Sequence, residues 1–125
     1  MSLSLIHISE SYQMSVPAYN VDQTRWAKLD IFNQMGNIYS EVGRSFKTKG
    51  QLDPKDHLEA VSRAIDLFDA TTEVLIAAKS PKAKEVLRSK EQFLSLVSDT
   101  TAANDSIQNL DRYFMQFAVA ARLNR

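Results

Sequence analysis

Four stretches of this chain repeat apolar residues at alternating three- and four-residue steps. That spacing lines one face of an α-helix and does not fit a strand, whose side chains alternate at every second residue. In the first stretch Leu29, Phe32, Gly36, Tyr39, Gly43 and Phe46 share a face, which Ile31, Met35, Ile38 and Val42 widen. Asp22 or Thr24 can cap its opening turn, and Gly50 stops it after Lys49. Asp53-Pro54 opens the second helix, because aspartate caps and proline tolerates the first turn; Leu58, Val61, Ile65, Phe68, Thr72 and Leu75 then repeat through about Ala78. Ser80-Pro81 starts a third, with Ala83, Val86, Leu87, Phe93, Leu94 and Val97 facing inward. After a polar loop from Ser98 to Asn104, Asn104 or Asp105 caps a fourth, whose seam is Ile107, Leu110, Phe114, Phe117 and Ala121, flanked by Tyr113, Ala120 and Leu123. Short connections make consecutive helices antiparallel. The expected fold is all-α, an up-down-up-down four-helix bundle over residues 22–125.

Gly36 and Gly43 stand seven residues apart on one seam, and each costs about 1 kcal/mol relative to alanine inside a helix. Close approach of another helix is the simplest reason for both, so they are expected to mark a tight helix contact.

Composition narrows the function classes. A chain of 125 residues fits one domain with its own core. Fifteen basic and fifteen acidic side chains cancel, so no global field draws the protein to nucleic acid or to an anionic membrane. The chain has no cysteine, which removes disulfides, thiolate nucleophiles and Cys-based zinc sites and suits the cytoplasm. No apolar run nears the roughly 18 residues of a membrane span, so no membrane partner is expected.

The catalytic patterns fail one by one. A di-iron bundle needs two Glu-x-x-His pairs, whereas the helical region holds one histidine, His57, beside Asp53 and Asp56. Those three read as a cap and a solvated first turn, with acids facing the positive end of the helix. There is no nucleophile elbow for a Ser-His-Asp site and no phosphate-cradling glycine loop, the glycines being isolated at 36, 43 and 50. Asp66, Asp69 and Glu73 form an acidic ridge whose neighbours Glu59 and Arg63 suit ordinary helix ion pairs, and Glu41 and Arg44 are a similar pair. No catalytic, cofactor-binding or metal-binding residues are assigned.

The most usable signal is basic. Lys79, Lys82, Lys84, Arg88 and Lys90 gather around the third helix against Glu85 and Glu91, and Arg122 and Arg125 lie at the chain's end. Lys82, Lys84, Arg88, Arg122 and Arg125 are the candidate nucleic-acid contacts. A solvated helix surface, with the final arginines complementing a helix dipole, accounts for the same residues.

The N-terminal segment stands apart. Leu3-Ser4-Leu5-Ile6-His7-Ile8-Ser9-Glu10 resembles the in-frame translation of a transposase adapter used in preparing sequencing libraries. That resemblance implies a gene predicted from a metagenomic assembly, with Met14 as its true start. A secretion signal would need a charged start, a longer apolar region and a small-residue cleavage site. Residues 1–21 are therefore expected to be a non-native or disordered extension.

Ser40-Glu41-Val42-Gly43-Arg44, Arg63-Ala64-Ile65-Asp66-Leu67-Phe68-Asp69 and the ending Tyr113-Phe114-Met115-Gln116-Phe117-Ala118-Val119-Ala120-Ala121-Arg122-Leu123-Asn124-Arg125 resemble small bacterial proteins. In shape and size these are like the four-helix-bundle family of 23S rRNA intervening-sequence proteins and the accessory proteins of diversity-generating retroelements. The resemblance spans Asp22 to Arg125 and implies a homo-oligomeric, non-enzymatic bundle that binds nucleic acid or a reverse transcriptase through a basic surface. The neutral charge of this chain departs from that picture. The helical HEPN ribonucleases are a further comparison, but no arginine stands at their motif's distance before His57. The expected function is thus a self-associating interaction or accessory protein with an unknown protein partner. A direct nucleic-acid-binding module and a small nuclease or hydrolase around His57 are the alternatives.

Overall fold

The computed structural model describes residues 21–99 and 104–123, and all regular structure among them is helical. The helices are α1 (Gln23–Ala27), α2 (Ile31–Lys47), α3 (Lys55–Ala77), α4 (Lys82–Ser98) and α5 (Asn104–Leu123). The expectations for residues 1–20, for the Ala121 side chain and for Arg125 lie outside the described residues.

The single opening helix expected from Asp22 to Lys49 is instead two. Asp22 caps α1 by accepting from the Arg25 N–H at 3.2 Å. The chain then breaks at Lys28–Asp30, where Asp30 accepts from the Asn33 N–H at 2.8 Å and starts α2. An aspartate inside an apolar repeat competes with the helix by offering its own cap. Gln34 reinforces the break. Its Nε2 donates to the carbonyls of Trp26 and Leu29, both at 3.0 Å, and so satisfies groups that a continuous helix would have bonded itself. Leu29, expected on the seam, is consequently exposed.

Around α3 the other helices assemble. It packs against α1, α2 and α4, which is why its buried set runs wider than the expected seam. Ala60, Ala64, Leu67, Ala70 and Thr71 are buried along with Val61, Phe68, Thr72 and Leu75, while Leu58 and Ile65 are half-buried. Phe68 is fully buried at the centre, its ring 5.9 Å from that of Phe93 on α4 and 5.8 Å from that of Phe114 on α5. Phe114 also stacks on Tyr39 at 6.1 Å, and Phe32 meets Phe117 at 6.4 Å, so residue numbers rise along α2 as they fall along α5. On α4 the inward side is Ala83, Val86, Ser89, Phe93 and Val97, whereas Leu87, expected inside, is exposed at the rim.

Helix ends are held by specific polar contacts. α3 stops with Lys79 in the left-handed region (φ 55°), where the Ser80 N–H reaches back to the Leu75 carbonyl at 2.9 Å. Lys49, in the turn after α2, donates from Nζ to the carbonyls of Leu96 (3.2 Å) and Asp99 (2.6 Å), placing a cation at the negative end of α4.

The expectation for Gly36 and Gly43 is corrected. Among the described residues, a Cβ built on either meets no atom within 4 Å, so no described helix approaches closely enough to require glycine. Gly43 lies on the flank of α2 that borders α5, beside an open depression.

Candidate functional site

Two surfaces carry side chains that the core does not absorb. The first is the outer seam of α2 and α5. Near the end of α2 a depression of about 240 Å³ is lined by Val42, Gly43, Phe46, Ile107 and Leu110, with Gln108 and Asp111 at its polar edge. Asp111 reaches the Tyr39 phenol as well. Burial chiefly, with the Asp111 hydrogen bond and charge adding to it, raises the Tyr39 pKa and keeps that hydroxyl neutral. From Asp111 the same face of α5 continues in steps of four to Met115, Val119 and Leu123, which are 39%, 40% and 78% exposed. Three large apolar side chains thus stand in one row on solvent, outside the core.

The second surface is the basic side of α4. Lys82, Lys84 and Arg88 are exposed and form no ion pair among the described residues. Lys84 and Arg88, four apart, share a face, and Glu91 three residues on offsets part of their charge. Lys90 does not join them, because it pairs with Asp69 of α3 at 2.6 Å. Nor does Glu85 answer Lys84: it accepts from the Tyr113 hydroxyl at 2.9 Å and so faces α5. That contact also places Arg122. Nine residues beyond Tyr113, at about 100° per residue, Arg122 projects from the opposite side of α5. The structure therefore brings Lys84 and Arg88 together and leaves Arg122, exposed, off their patch.

The remaining polar groups bind one helix to another. His57 Nδ1 is hydrogen-bonded to the Ser45 carbonyl at 2.9 Å, tying the start of α3 to α2, and Asp53, one residue before the Pro54 that caps α3, accepts from the Lys55 N–H at 3.0 Å. Arg44 bridges Glu41 (3.3 Å) and Glu59 (3.2 Å), and Glu59 also holds Arg63 at 3.2 Å. Partial burial lowers the Arg44 pKa, but the two carboxylates outweigh it and hold the guanidinium above its ordinary value. Among the described residues no three His, Cys, Asp or Glu side chains are grouped to hold a metal ion, and no helix is long and apolar enough to cross a membrane.

Sequence reasoning missed a third feature, the docking of α1. Trp26 is buried, its indole N–H donating to the Thr71 hydroxyl at 2.9 Å, and Gln23 Nε2 donates to the Ala70 carbonyl at 3.0 Å. The available signal was the lone tryptophan of the chain, just before an aspartate that interrupts the apolar repeat.

Comparison of the chain with protein-family models, with curated proteins and with solved structures finds no match.

Proposed function

We propose that α2 to α5 form an up-down-up-down four-helix bundle that acts as a non-enzymatic, self-associating interaction protein in the cytoplasm, accessory to another macromolecule. The observation that carries this reading is the row Met115, Val119 and Leu123 on the outer face of α5, continuous with the apolar depression beside Gly43. Removing such a row from water supplies a non-directional driving force of about 25 cal/mol per Å² of apolar area. The pairing of numbers along α2 and α5, together with the Arg44–Glu59 bridge, supports the bundle topology. Size-exclusion chromatography with light scattering, run across protein concentrations, tests the proposal. A concentration-dependent oligomer that the Met115→Lys, Val119→Lys double variant dissolves is expected. A strictly monomeric chain at the highest concentration refutes it.

A second reading is favoured by Lys84 and Arg88, exposed and without an ion pair among the described residues: direct binding of nucleic acid through α4. Each phosphate contact releases counterions, so binding of a single-stranded RNA should weaken with salt by a log–log slope of about −0.7 per contact. Replacing both residues with alanine should flatten that slope by roughly 1.4, and unchanged binding removes the assignment.

A further inference from the structure

We infer that α1 is an exchangeable arm: in the self-associated protein the α1 segment of one copy occupies the cleft against α3 of a second copy. This rests on the self-association reading above and deepens it by naming the segment that passes between copies.

The occupant is identified by the cleft itself. Thr71 Oγ1, the Ala70 carbonyl and the Gln34 amide are matched to the Trp26 indole, the Gln23 amide and the Trp26 carbonyl respectively. A second copy's α1 offers the same groups at the same spacing, so the docked contacts are reproduced without any new complementarity. Few groups hold α1 in place. It is five residues long, and Trp26 is its only buried side chain.

The hinge has two accessible forms. Lys28, Leu29 and Asp30, all exposed, are the only residues between α1 and α2. Lysine and leucine favour helix, and the apolar repeat runs through the break, so one continuous helix from Asp22 to Lys49 competes with the bent form. Asp30, with its hydrogen bonds to the Asn33 backbone and side-chain amide, decides for the bend. In the straight form α1 extends beyond the end of α2 and cannot reach its own Thr71.

Geometry also supplies the meeting place. Phe32, at the start of α2, touches Phe117 of α5, so the arm emerges at the end of the molecule where Val119 and Leu123 lie exposed. Two copies exchanging arms bring those ends together and cover apolar side chains that a single copy leaves in water.

The test uses the whole chain. Equal amounts of ¹⁵N-labelled and ¹³C-labelled protein are mixed, partly unfolded in urea, refolded together at high concentration, and the dimer is isolated. An isotope-filtered NOE is then sought between the ¹⁵N indole proton of Trp26, unique because the chain has one tryptophan, and the ¹³C methyl of Thr71. The expected result is a cross-peak between differently labelled chains. Asp30→Ala, which removes the cap that enforces the bend, should raise the dimerisation constant about fivefold for each hinge, or roughly 25-fold for two. A dimer whose Trp26–Thr71 contact arises only within one chain overturns arm exchange and leaves self-association standing. Monomers alone, in both the native chain and Asp30→Ala, overturn both.

Discussion

The indole N–H of Trp26 donates to the hydroxyl of Thr71 at 2.9 Å, and both residues are buried although 45 positions apart in the chain. The bond fixes where α1 lies, and it makes the two residues unequal under mutation. Thr71→Val keeps the shape of the side chain but leaves the indole donor buried and unpaired, at a cost of about 1–3 kcal/mol. Trp26→Phe removes the donor with the need for it and should lose mainly packing. Urea unfolding of each single variant and of the double variant should show a coupling of about 1 kcal/mol between the sites, and strict additivity is the contrary result.

Glycine is misplaced at two positions and missing from a third. With nothing within 4 Å of a built Cβ, Gly36→Ala and Gly43→Ala should each stabilise the fold by about 1 kcal/mol. Lys79 sits at φ 55°, so Lys79→Gly should also stabilise, by roughly 1 kcal/mol. Thermal unfolding should show each change as a rise in Tm; a fall for the two alanine variants means that the open flank of α2 is occupied in solution.

Lys49 acts at a distance from its own helix. Its ammonium bonds the last carbonyls of α4, so Lys49→Met should fray that end, at a cost of about 1 kcal/mol. Hydrogen exchange checks this locally, since amides of the final α4 turn should lose protection while those around Phe68 keep theirs.

The Tyr113 hydroxyl provides a pH signature. Burial first, then the hydrogen bond to Glu85 and its charge, opposed by Ser89, push its pKa up to about 12 from the ordinary 10.0. A pKa higher in the folded than in the unfolded chain means that the folded state holds the proton more tightly. This contribution is complete below pH 10 and is lost as pH rises from 10 to 12. Alkaline titration followed by tyrosinate absorbance should show this late component, and Tyr113→Phe should remove it and flatten the stability curve in that window.

Much of the fold was legible because burial and periodicity coincide in a helix that offers one face to its neighbours. Leu110, Phe114 and Phe117 on α5, and Val86, Phe93 and Val97 on α4, are buried as their spacing predicts. The reading weakened where a helix has several neighbours, as α3 does. It failed at Asp30, where one cap outweighed a repeat that continued on both sides. The candidate surfaces were half legible: Lys84 and Arg88 share a face by spacing alone, but the diversion of Lys90 to Asp69 and of Glu85 to Tyr113 depends on helices brought together from elsewhere in the chain.

The sequence by itself determined the helical class, most helix limits and much of the inward face of α3, α4 and α5, because these follow from local capping and a 3.6-residue period. On α2 the buried side is Met35, Ile38 and Val42, expected only to widen the face, while Phe32, Gly36, Tyr39, Gly43 and Phe46 of the expected seam are half-buried or exposed. Only the tertiary structure decided that Gly36 and Gly43 border open space, that Arg122 points away from the α4 patch, and that Trp26 folds back onto Thr71. Each of those outcomes depends on which helix lies beside which. That choice is made by the shapes and hydrogen-bonding groups of surfaces far apart in the chain, which no local pattern encodes.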